Sequence, residues 1–302
     1  MASHDQISFI TSNDEEIVLC DYDTTRSVWE LWGRTGFEAP PVSFIDEQYA
    51  DGYVETVAVK IEPREISINM IVYGSSDVTR DRTFHTLINK LIEHGSKNTW
   101  GKLKLSRSDG SFVYLNCIYS AGIEAITEQY LRFHKFTLTF HAADPYFYDF
   151  DETEFRFTED VQTGLYFGDN FYLGTLTYFI GAVPTAESII NDGQTTYPTI
   201  TITGPAKNIS ITNSLSGKTL AMASSFELAV GEILFIDCRN RSRIIQKTDT
   251  SSVVTDVTNS LALGSSLVFP ILTGTNDFLF EYTDTTAATT ITFSFQKRYM
   301  SA

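Results

Sequence analysis

The stretch INDGQTTYPTITITGP, Ile190 to Pro205, decides what kind of fold this chain can adopt. An Asn-Asp-Gly turn leads into Tyr197-Pro198, and Thr and Ile then alternate strictly from Thr199 to Thr203. A period of two puts Ile200 and Ile202 on one side of the backbone and the threonines on the other. The run therefore predicts a β-strand with one buried and one solvated face. From Thr199 onward, similar short runs recur between turn signals at Gly204-Pro205, Ser216-Gly217, Gly231, Gly264 and Asn276-Asp277, which is the pattern of a β-sandwich. No helical period interrupts them.

Working outward from this stretch, the composition changes near residue 150. All His and Trp residues lie before that point, and Thr, Ser, Phe and Tyr dominate after it. A chain of 302 residues has room for two domains, and a body of this length buries roughly 75% of its unfolded surface. The boundary is placed at Phe150, giving domains 1–150 and 151–302. The aromatic, glycine-bearing stretch within 151–189 is left unassigned between strands, an interdomain span and an arm.

In the first half, ISFITSNDEEIVL (7–19) reads as a hairpin with a charged tip. Val57, Val59 and Ile61 form one alternating run, and Ile66, Ile68, Met70 and Val72 form another, so each predicts a strand with one buried side. Before them, Pro40-Pro41 and Asp51-Gly52 predict an extended, loop-like excursion. Long loops in compact domains are usually functional or flexible, which makes 36–53 a candidate interface, although no individual interface residue is assigned. One helix is predicted, with Phe84, Leu87, Ile88, Leu91 and Ile92 on its apolar face, Asp77 or Thr79 as N-cap and Gly95 at its end. Strands then resume around an Asp109-Gly110 turn, and a long strand runs to Pro145.

The formal charge of −16 repels phosphate backbones, so nucleic acid is not an expected partner. Cys20, Cys117 and Cys238 are widely spaced and odd in number, which predicts reduced, half-buried thiols. The start of the sequence has no basic-then-apolar leader, and no apolar run reaches the roughly 20 residues of a membrane span.

A search for chemistry ends without a reaction class, and no catalytic, cofactor-binding or metal-binding residue is predicted. LSGKT (215–219) has the end of a phosphate loop, but Thr212 stands where its first glycine belongs and strands flank it, so a hairpin turn is expected. His134 and His141 are seven apart on one strand and face opposite ways, and His85 and His94 do the same on the helix. Asp14-Glu15-Glu16 and Asp21-Tyr22-Asp23 lack the periodicity of a calcium loop. A Gly-x-Ser-x-Gly elbow is absent.

Two sets of residues together resemble the siphovirus distal tail protein family. The first is GFEAPP (36–41), Asp51-Gly52, Pro63-Arg64-Glu65-Ile66, Arg82 on the helix and YLRFHKFTLTFHAADPYFYD. The second is Asn191-Asp192-Gly193, Tyr197-Pro198-Thr199-Ile200, Gly204, Asn208-Ile209, Asn213, Gly217, Gly231-Glu232, Ile236-Asp237 and Gly274-x-Asn276. Each element alone is ordinary turn chemistry, and their order across both domains carries the likeness.

The resemblance implies a mainly β protein of two β-rich domains. The N-terminal one would be a β-sandwich or split barrel with one α-helix, and the C-terminal one a galectin-like β-sandwich. It further implies a non-enzymatic hub at the tip of a bacteriophage tail, within the virion and assembled in the host cytoplasm. Its N-terminal domains would form a six-fold ring joining the tail tube protein to the tail-associated tip protein. Its C-terminal domains would hold receptor-binding or baseplate proteins, with no cofactor and no membrane insertion. The surplus carboxylates are then expected to line the ring's channel, where they would keep passing DNA from sticking. The alternative is a carbohydrate-binding adhesin recognising the host cell wall. The galectin pattern of His-x-Asn-x-Arg with Trp cannot exist in residues 151–302, which contain neither His nor Trp.

Overall fold

Alternating apolar residues build two separate cores. The computed structural model describes residues 6–20, 29–48, 54–73, 76–96, 100–107, 109–121, 133–158, 185–239, 242–283 and 289–302. The chain divides into unit 1, Met1–Asp151 with Arg298–Ala302, and unit 2, Glu152–Lys297. The architecture is mainly β, as the sequence predicts.

Unit 1 contains β1 (Ile7–Ile10), β2 (Glu16–Cys20), β3 (Trp29–Thr35), β4 (Val42–Gln48), β5 (Val54–Ile61), β6 (Arg64–Tyr73), α1 (Asp77–Ser96), β7 (Gly101–Ser106), β8 (Phe112–Ala121), β9 (Phe133–Ala142) and β10 (Phe147–Asp149). An antiparallel sheet runs in the order β2-β1-β7-β8-β9-β6-β3, and β10 joins β8 and the strand Arg298–Tyr299. The first part of β8 pairs with β7. Its last residues pair with β9 across a register break between Tyr119 and Ala121. Such a break bends a strand, which lets the sheet curl around one core.

That core holds Ile66, Ile68, Met70 and Val72 of β6, Phe136, Leu138 and Phe140 of β9, and Phe84, Leu87, Ile88 and Leu91 of α1. Phe84 meets Phe136 edge to face, with ring centroids 5.1 Å apart. The helix departs from expectation at both ends. Its cap is Ser76, whose hydroxyl accepts the Thr79 N–H at 3.2 Å, while Asp77 lies in the first turn. Gly95 sits inside the helix, which runs to Ser96.

Unit 2 contains β11 (Thr153–Thr158), β12 (Thr185–Asn191), β13 (Thr199–Thr203), β14 (Ala206–Asn213), β15 (Lys218–Ala221), β16 (Glu227–Leu228), β17 (Ile233–Asp237), β18 (Ile244–Thr248), β19 (Val254–Asp256), β20 (Gly274–Thr283) and β21 (Thr290–Phe295). One sheet runs β11-β21-β13-β17-β18-β19 and the other β12-β20-β14-β15, with β16 beside β14. Both contribute to a single core that includes Ile200, Ile202, Leu234, Ile236, Phe278, Phe280 and Phe293. Ile200 and Ile202 are buried, and Thr199, Thr201 and Thr203 are half-buried, as period two requires. The stretch left unassigned contributes β11 and the first residues of β12, while 159–184 lies outside the described residues.

The turn asparagines do more than turn. Asn191, Asn213 and Asn276 are all fully buried. Asn276 Oδ1 accepts from the Leu272 N–H (2.9 Å) and Asn213 Nδ2 (3.0 Å), and its Nδ2 donates to Leu272 O (2.7 Å) and Gly274 O (3.1 Å). Asn213 Nδ2 also donates to Pro270 O, and Asn191 Nδ2 donates to the carbonyls of Gln194, Ile271 and Leu272. Apart from the bridge between Thr196 and Ile271, residues 270–273 belong to no strand, so these amides satisfy backbone groups that burial would otherwise leave bare. Asn276-Asp277 is therefore no turn: it lies within β20.

Candidate functional site

The sequence of β4 and β5 is rich in Val, Ile, Phe and Thr, which favours strands, yet among the described residues these two strands pair only with each other. The excursion expected as a loop is thus half of a β-hairpin, and Asp51-Gly52 lies outside the described residues. Pairing sets Val42 opposite Ile61 and Phe44 opposite Val59, so one face carries an apolar stripe, and the register breaks at Ile45/Asp46. The stripe is not covered by the described residues: Phe44 is 61% exposed and Val59 59%. The expectation that Val57 and Val59 face a core is corrected, since both are exposed. Alternation signals a face that wants burial but does not say whether the same chain supplies the cover.

The hairpin's foot is tied down by polar groups. Glu62 N–H donates to Pro41 O, and Ser43 Oγ donates to Glu62 Oε1 at 2.6 Å. That hydroxyl, with Lys60 second, holds the Glu62 carboxyl below its ordinary range. Beneath lies Arg64, only 1% exposed, whose Nη1 donates to Gly36 O (3.2 Å) and Glu38 O (2.9 Å) and whose Nη2 donates to Met300 O (2.7 Å). Its guanidinium rests 4.9 Å over the Phe147 ring, and Phe147 stacks on Phe37. Burial lowers the pKa of Arg64 to about 10, against the raising effect of Asp144, so the group is charged at neutral pH. Gly36 has φ +87°, and a Cβ there would collide with the Glu65 carbonyl, so the turn into the hairpin requires glycine.

A second feature lies at the open edge of the sheet. β2 has β1 as its only neighbour in the sheet among the described residues, and a groove of about 350 Å³ runs beside it, lined by Glu16, Ile17, Val18, Arg82, Thr86, Leu87 and Lys90. Glu16 is engaged by Ser8 and Lys104, so the groove presents aliphatic surface with Arg82 and with Lys90, which is itself paired with Glu15.

Among the described residues, those tested for chemistry are not brought together, and Asp21-Tyr22-Asp23 lies outside them. LSGKT forms the β14–β15 turn, in which Asn213 Oδ1 accepts the Leu215 N–H. Glu15 pairs with Lys90, and His141 is half-buried on β9. Among the described residues there is no cluster of three or more His, Cys, Asp or Glu placed to hold a metal, and no helix is long and apolar enough to cross a membrane. All three cysteines are buried more deeply than expected, and burial pushes the Cys117 and Cys238 thiols up to about 12.

These surfaces sit in a recognisable frame. Residues 193–299 match the siphovirus-type tail component, C-terminal domain. The resemblance read from the sequence is borne out by that match. The tail-component domain spans β13 to β21 and so takes in the Thr-Ile strand and two of the buried asparagines, Asn213 and Asn276. The fold is shared with the SPP1 Dit protein, described as a paradigm of hub adsorption apparatus in Gram-positive infecting phages, at 14% identity and TM-score 0.63 over 98% of this chain and all of that one. Two structures of the phage P2 baseplate in its activated conformation, with Ca and with Sr, contain similar chains. Their identities are 9% and 10%, with TM-scores of 0.51 and 0.52 over 99% of this chain and all of theirs. No curated protein matches the chain.

Proposed function

We propose that this protein is a structural hub of a bacteriophage tail tip or baseplate. In this reading six copies form a ring that joins the tail tube to the tail-associated tip protein and carries host-recognition proteins outward. The tail-component match and the hub and baseplate neighbours support the coarse role. The single observation that carries self-association is the hairpin, which leaves Val42, Phe44, Ile45, Val54, Val57 and Val59 exposed. A protomer that leaves such a stripe in water is normally completed by another chain. The hairpin carries Asp46 and Glu47, opposite in charge to Arg82 and Lys90 of the groove beside β2, and repeating one such contact about an axis closes a ring.

No step in this role makes or breaks a covalent bond. Its folding free energy goes into presenting rigid sheet surfaces. Native mass spectrometry of the purified protein, alone and with tip protein added, is the test. A hexamer is expected, and the Phe44→Ser/Val59→Ser pair should leave protomers. A wild-type protein that stays monomeric under both conditions overturns the ring.

A further inference from the structure

Residues 298–302 follow unit 2 in the chain and yet are built into unit 1. Their contacts there fall on β10 and on the foot of the hairpin. We propose that this segment is a clasp whose docking sets the direction of the β4–β5 hairpin, so that the hairpin is competent for association only when the clasp is closed. The last clause rests on the self-association proposed above, whereas the mechanical coupling does not.

Three consecutive carbonyls start the hairpin. Those of Gly36 and Glu38 are taken by Arg64, and that of Phe37 by the Ala302 N–H at 3.2 Å. A third carbonyl on Arg64, Met300 O, makes the shortest of these bonds at 2.7 Å and comes from the clasp. One buried guanidinium thus ties the hairpin's foot to the returning segment, and its rigid, planar fork transmits a shift at one carbonyl to the others. Arg64 Nε is buried without a partner, so the side chain has no spare bond within reach to replace a lost one.

The clasp itself is small. Arg298 and Tyr299 pair with Tyr148 and Phe147 over two residues only. Besides the bonds of Met300 and Ala302 to the hairpin's foot, side chains add to its hold. Tyr299 Oη donates to Asp149 Oδ2 at 3.1 Å, Arg107 lies 4.1 Å over the Tyr299 ring and bonds Asp149 at 3.2 Å, and Arg298 lies 4.2 Å over Tyr146. A strand held by two residue pairs and a few cation–aromatic contacts opens locally at lower free energy than the sheet it joins.

Hydrogen exchange by mass spectrometry on the full-length protein, on a form lacking residues 298–302 and on Tyr299→Ala tests the coupling. Loss of a hydrogen bond to a buried charge corresponds to about a tenfold change or more in local opening. The deletion should therefore speed exchange in 36–48 and 54–62 by at least that factor and leave 199–237 unchanged. Tyr299→Ala, which leaves every backbone bond of the clasp available, should give a smaller acceleration in the same peptides. Hairpin exchange unchanged in both variants overturns the clasp. Should the deletion unfold unit 1 altogether, Tyr299→Ala decides alone, and wild-type protection of 36–62 in it overturns the proposal. Native mass spectrometry separates the two readings. A wild-type protein that never forms rings but shows the exchange coupling leaves the clasp standing and removes its role in assembly. Rings that form equally with and without 298–302 remove that role while the hub reading stands.

Discussion

Replacing Asn276 with alanine removes four hydrogen bonds from the interior of unit 2 at once. Two of the bared groups have other partners: Asn213 Nδ2 keeps Pro270 O, and Leu272 O keeps a 3.3 Å bond from Asn191. The Leu272 N–H and the Gly274 carbonyl lose their side-chain partner, but Leu272 is only partly buried and Gly274 is exposed. At about 1–3 kcal/mol for a buried group left unsatisfied, and less where water reaches it, the loss comes to about 1–3 kcal/mol. For a body of this size that lowers the melting temperature of unit 2 by roughly 3–12 °C.

The two units can be read separately, because Trp29, Trp32 and Trp100 all lie in unit 1. Tryptophan fluorescence follows unit 1, while calorimetry combined with hydrogen exchange over 199–237 follows unit 2. Asn276→Asp sharpens the test. An aspartate there can donate to one of the two carbonyls, Leu272 O or Gly274 O, and only when protonated, so folding raises its pKa. Its stability relative to wild type is best below the unfolded pKa and is lost as pH rises through the folded one. The reasoning is refuted if Asn276→Ala melts within 1 °C of wild type, or if the tryptophan transition moves as far as the other.

Further outcomes follow from other sites. Phe44→Ser should weaken self-association by roughly 10–100-fold per interface, the worth of burying one large apolar side chain, while the melting temperature of the isolated protomer is unchanged. Arg82→Glu should weaken it as well, with rescue by Glu47→Lys if hairpin and groove meet between copies; analytical ultracentrifugation measures both. The Glu16 carboxyl is held below 4.5, chiefly by the Ser8 hydroxyl and then by Lys104, against burial. Its contribution is present above the unfolded pKa and fades as pH falls through the folded one, so the urea-midpoint gap between wild type and Ser8→Ala should narrow on acidification from pH 7 toward pH 3. Native protein at pH 8 should show no thiol reactive to a soluble disulfide reagent, and three once unfolded.

Local pattern was enough for the strands of unit 2 and for the helix, because Ile200 and Ile202, or Phe84, Leu87 and Leu91, announce their buried face by spacing alone. It misjudged residues whose role depends on what lies opposite. Asn276 looks like a turn residue by type, and only the largely strandless segment 270–273 packed against it makes it a strand interior amide. Val57 and Val59 look like core residues by period, and nothing in the described protomer covers them. Arg64 carried no signal of burial, since a charged residue is read as solvated until carbonyls from 36, 38 and 300 are brought around it.

The amino-acid order by itself determined the β class and the likeness to tail components. These follow from periodicity, composition and the order of turn residues, all of which act within a few positions of each other. Which apolar stripe stays open to solvent, which asparagines hold the interior and how residues 298–302 reach the foot of the hairpin were settled only in three dimensions. Each depends on a contact between residues tens to hundreds of positions apart, and no local spacing encodes such a contact.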